Sequence, residues 1–188
     1  EMVYNPKFFE GLTDDQRSGV LVHEFYHLVF EHVTGRLPDE LEGAMVKPTP
    51  RQRSLFKLWN IAADLSINCL IGRSNLPDGC CFPGEGQFAE LSGHQTAEWY
   101  YDALKEMVDK DPDGSDGEGD GKGDGKGPFD PDAAGQFDSH DDWGGEALDP
   151  VVEEMAKERL REAMQKATEE ASKSNNWGSV SASVRRDI

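Results

Sequence analysis

The run "VLVHEFYHLVFEH", residues 20–32, constrains this chain more than any other stretch. Its Val, Leu and Phe side chains call for burial, yet it carries three imidazoles and two carboxylates. His23 and His27 stand four apart, so on a helix they share one face a turn apart, with Glu24 beside them. This His-Glu-x-x-His spacing lets two imidazoles address one metal ion while the carboxylate reaches a metal-bound water. Buried imidazoles next to a carboxylate need partners, and a metal ion satisfies them together. The flanking Val20, Leu21, Val22, Leu28 and Val29 predict a buried helix. A surface helix with incidental histidines is the competing reading.

Catalytic zinc takes three protein ligands and keeps a position for water. A third His ten residues after the first is absent, because that position is Val33. His32 falls one residue early, about 100° around a continuing helix. It is expected to be an imidazole favoured by the helix C-terminus rather than a ligand. In "LWNIAADLSINCLI", Asn60, Asp64 and Asn68 recur every four residues among Leu58, Ile61, Leu65, Ile67 and Ile71. A polar stripe on a helix otherwise fit for burial must meet a charge or a donor. Asp64 is the expected third ligand, with Asn60 and Asn68 supporting it or facing substrate. An ion pair of Asp64 with Arg51, Arg53 or Arg73 is the alternative.

Boundary chemistry predicts four helices. Thr13 with Gln16 forms a capping-box pattern before the HEFYH run, which Gly35 and Pro38 are expected to stop. Thr49 with Gln52 repeats the pattern around Pro50, and Gly72 closes that helix. Thr96 can cap "AEWYYDALKEMV", and Asp149 with Pro150 opens the last helix. "EMVYNP" and "CCFP" are expected edge strands. The fold class is therefore α+β, mostly helical, with a small sheet.

Composition divides the chain into a core at 1–108, an acidic Gly/Asp-rich loop or linker at 109–142, and a helix and tail at 143–188 that pack on the core. The middle segment has almost nothing to bury, so ordering it costs more entropy than burial returns. Within it "DKDPDGSDGEGD" places Asp109, Asp111, Asp113 and Gly114 at EF-hand positions. Asp120 stands where the bidentate Glu belongs, leaving a solvated linker or a weak Ca2+ site. Acidic residues outnumber basic ones by 37 to 19, a net charge of −18, which argues against nucleic acid and against anionic membranes as partners. No apolar run approaches the ~18 residues of a membrane helix. Cys69, Cys80 and Cys81 do not form a disulfide framework, and the chain reads as cytoplasmic.

"YNPKFFEGLTDDQRSGVLVHEFYHLVFEH", then "LWNIAADLSIN", then "TAEWYYDALK" together resemble the zinc metallopeptidase domain of bacterial and phage proteins that often precedes a von Willebrand A-like domain. The resemblance covers nearly the whole chain, including the acidic break and the late "SHDDW". It implies a zincin-like fold, an active-site helix bearing His23, Glu24 and His27, a role for Asp64, and a von Willebrand A-like or ATPase partner. No second domain follows Ile188, so either the sequence stops early or this member stands alone.

The expected activity is peptide-bond hydrolysis in a protein or peptide substrate. Zn2+ held by His23, His27 and Asp64 activates water, with Glu24 as general base. His140 in "FDSHDDW" is a candidate catalytic donor to the developing oxyanion, or else a solvated loop residue. His94 reads as structural, and Glu98 as a holder of an arginine or a substrate amine. The rival function is an inactive zinc-containing binding or scaffold module, and a weaker one is a non-proteolytic zinc hydrolase.

Overall fold

The computed structural model describes residues 4–32, 35–41, 47–109, 130–131 and 150–173. They form helices α1 (Pro6–Glu10), α2 (Asp14–Val29), α3 (Pro50–Ile71), α4 (Ala97–Asp109) and α5 (Pro150–Lys173), with single 3-10 turns at Asp39–Leu41, Arg73–Asn75 and Gly86–Phe88. The fold is mostly helical. The expected small sheet is not seen among the described residues: Cys80 to Pro83 run as a loop whose buried side chains pack beside α3.

Helix starts follow the capping chemistry. Thr13 Oγ1 accepts from the Gln16 backbone N–H at 3.2 Å while Gln16 Oε1 accepts from the Thr13 N–H at 3.0 Å. Thr49 and Gln52 repeat this at the start of α3, at 3.2 and 2.9 Å. Each box satisfies two of the N–H groups that a helix start leaves unpaired. Thr96 Oγ1 accepts from the Trp99 N–H, opening α4. Gly72, at φ 89°, closes α3 in a backbone conformation that suits glycine.

α3 is the central element, packed against α4 along one side and α2 along another. Its middle is buried all round, from Leu58 to Leu65. Ala62 and Ala63 share a cluster with Tyr100, Tyr101 and Leu104 of α4, where small residues let bulky rings approach. The buried aromatics find partners for their polar tips: Tyr100 donates to Ser92 O at 2.7 Å, Tyr101 to Glu40 Oε1 at 2.7 Å, and Trp59 Nε1 to His32 O at 3.0 Å. Met164 of α5 packs against the cluster of Val29, Phe30 and Ile67. No helix among the described residues is long and apolar enough to cross a membrane.

α2 departs from expectation in two ways. It buries Val20, His23, His27 and Val29, but Leu21, Phe25 and Leu28 are 44–50 % exposed. The helical period puts those three on the face opposite the histidines, so the helix is half-buried rather than enclosed. It also stops at Val29, well before Gly35. Glu31 takes φ 53°, its N–H bonds to Leu28 O at 3.1 Å, and the His32 N–H bonds to His27 O at 3.0 Å. This is a Schellman turn with a glutamate in the place where glycine is usual.

Gly19 lets α2 approach the Arg73–Asn75 turn closely. A Cβ there would collide with the Asn75 carbonyl oxygen and lie 2.8 Å from its carbon, both backbone atoms. Gly19→Ala should therefore push α2 off the Arg73–Asn75 turn and destabilise the domain by ~1–3 kcal/mol, read by urea unfolding. A cost below roughly 0.5 kcal/mol would mean that the contact yields freely.

Candidate metal centre

α2 and α3 bring three ligand-bearing side chains together. His23, His27 and Asp64 are each at most 1 % exposed, and each offers an atom within 4.8 Å of the others. His27 Nε2 lies 2.9 Å from His23 Nε2 and 3.3 Å from Asp64 Oδ1, and His23 Nε2 lies 3.5 Å from the same oxygen. With ligand bonds of ~2.0–2.1 Å, the edges of a tetrahedral zinc site run about 3.3 Å. The observed triangle matches one face of such a tetrahedron. Its donor set, two imidazoles and a carboxylate, suits zinc.

Both ring orientations are held. Asn68 Nδ2 donates to Cys81 O at 2.9 Å, which turns its Oδ1 toward His23 Nδ1 at 3.0 Å. His23 must then carry a proton on Nδ1, leaving Nε2 for the cluster. Asn68 thus holds the ring of His23, a candidate ligand. Asn60 Oδ1 is buried with no hydrogen-bond partner among the described residues.

Charge is shared unequally between the rings. Burial opposes protonation of His23, but Asp64, with help from Glu24 and Asn68, holds it above its ordinary value. For His27, burial prevails over Asp64 and, with the neighbouring His23, holds the ring below its ordinary value. The metal-free cluster therefore favours protonation of His23 over that of His27. Glu24 is half-buried, next to His23 on α2.

Asp64 faces the imidazoles, while Arg53 donates to Pro48 O and Arg73 to Cys80 O. His32, expected as an imidazole favoured by the helix C-terminus, is instead folded into the core. The Schellman turn carries it back until its Nδ1 is 3.3 Å from His27 Nδ1, at 2 % exposure. Burial, then His27 and Arg36, hold it well below its ordinary value, so it is neutral. A helix continuing to Gly35 would turn His32 away from His27, and no glycine directly after Phe30 announces the earlier stop. The signal for this turn was the i, i+5 spacing of His27 and His32, which a Schellman turn brings into contact.

Other sequence candidates fall elsewhere. Glu98 holds Arg36 in a two-pronged pair, both bonds 2.8 Å, so it does hold an arginine. A cavity of about 90 Å3 lies beyond the cluster, lined in part by His32, Arg36, His94, Gln95 and Thr96. None of the three ligand candidates lines it; His32 stands between it and His27. His140 and the candidate calcium loop beyond Asp109 lie outside the described residues.

Comparison with curated proteins and with solved structures returns no match. A family model does match, over residues 1–186, and its family is described as "Putative metallopeptidase domain". With a match covering nearly the whole chain and a buried His, His and Asp group at its centre, the protein belongs to this metallopeptidase domain family.

Proposed function

We propose that this domain is a zincin-like zinc metallopeptidase that hydrolyses peptide bonds. The observation that carries the reading is the meeting of the His-Glu-x-x-His face of α2 with the Asp64 carboxylate of α3, 37 residues beyond His27 in sequence. His23 and His27 would hold the ion through Nε2 and Asp64 through a carboxylate oxygen. Zinc bound there supplies Lewis acidity, which lowers the pKa of a coordinated water and polarises a carbonyl. Glu24 accepts the proton of the attacking water and returns it to the leaving amine. Asn68 keeps the His23 ring turned so that its Nε2 lone pair stays available.

A second reading has its own observation. His23, His27 and Asp64 are almost wholly buried, as a structural zinc site would be, and that favours a closed site in a binding or scaffold module. One preparation separates the two. The purified domain is expected to hold about one zinc per chain and to cleave an unstructured protein substrate, an activity lost on chelation and restored by zinc. A zinc-loaded domain that cleaves no peptide would sink the peptidase reading and leave the closed site.

A further inference from the structure

We propose that His32 is the positioning residue for His27, fixing its tautomer and ring orientation so that Nε2 faces the metal. This rests on the metal reading above, and it assigns work to a residue outside the His-Glu-x-x-His pattern. The two Nδ1 atoms face one another at 3.3 Å, a distance that requires one proton between them. His27 turns Nε2 toward His23 and Asp64. A neutral His27 that offers Nε2 as a lone pair carries its proton on Nδ1. His32 Nδ1 must then be the acceptor, and His32 is protonated at Nε2.

The acceptor is held firmly. The His32 N–H is bonded to His27 O, and its carbonyl accepts from Trp59 Nε1 at 3.0 Å, so both backbone groups are fixed. Its ring lies among His27, Phe30 and Trp59, with centroid distances of 5.4, 5.7 and 5.9 Å. The Schellman turn usually brings two apolar side chains into contact; here it brings two imidazoles. Each candidate ligand on α2 therefore has its own orienting acceptor: Asn68 for His23 and His32 for His27.

The test is zinc affinity by competition with a chromophoric chelator, for wild type, His32→Phe and His32→Asn. Phe keeps the packing ring and removes the acceptor; Asn removes the ring and puts Oδ1 close to where Nδ1 stood. Affinity should fall ~10–100-fold in His32→Phe and be largely restored in His32→Asn. Wild-type affinity in a folded His32→Phe, or poorer binding by Asn than by Phe, would show that His32 only fills space. Long-range proton–nitrogen NMR on the metal-free wild type gives an independent readout should a variant fail to fold. His27 protonated at Nδ1 and His32 at Nε2 is the expected result, and the reverse pair overturns the proposal. If wild type binds no zinc, the metal reading fails while the tautomers still decide the role of His32.

Discussion

Glu24→Gln is expected to bind zinc as wild type does and to lose the proposed peptide hydrolysis, kcat/KM falling by at least ~10²–10⁴-fold, the contribution typical of a general base. Glutamine matches glutamate in size and hydrogen-bonding reach but cannot accept a proton at neutral pH. Glu24 is next to His23 in sequence and half-buried on α2, and its charge favours protonation of both His23 and His27. It therefore lies within electrostatic reach of the cluster without being one of its three converging groups. The measurement is kinetics beside elemental analysis on one preparation. Undiminished hydrolysis by the zinc-loaded variant would remove Glu24 from the mechanism.

Asp64→Ala is expected to lose the metal altogether, dropping from about one zinc per chain to almost none after dialysis. The carboxylate is the one anionic group among the three, and it comes from a different helix than the two imidazoles. Without it, a cation would meet two neutral rings and no compensating charge. α3 should survive the change, because alanine is a strong helix former and Ala62 and Ala63 already precede the site. Circular dichroism of the metal-free forms separates loss of the site from loss of the fold. A folded Asp64→Ala that keeps its zinc with wild-type affinity would mean that the ion sits elsewhere.

The two predictions draw on information of different kinds. That His23 and His27 share a face follows from their spacing of four, a property of any helix. That Thr13 and Thr49 cap α2 and α3 follows from local hydrogen bonds with Gln16 and Gln52, and both boxes formed as read. Even Asp64 could be chosen from sequence, because a lone carboxylate in a helix too apolar for solvent has few ways to be satisfied.

Where sequence reading failed, the deciding contact was distant or the backbone unusual. The expected strand at "CCFP" is a loop, and its Cys81 carbonyl is used to orient Asn68, a task no strand pattern announces. The apolar content of α2 does not bury the whole helix, since Leu21, Phe25 and Leu28 lie on the outer face.

His32 makes the division plainest. The sequence by itself determined a helix with paired imidazoles, a second helix with a polar stripe, and a strongly acidic chain, since these depend on periodicity, end-capping and composition. Only the tertiary structure decided that α2 ends at Val29 and that Glu31 adopts a left-handed turn that brings the His32 ring onto His27. It also decided that Asn68 rather than Asn60 meets His23. Those outcomes depend on how α2, α3 and the loop at Cys81 pack, and packing is a relation between segments that no single segment encodes.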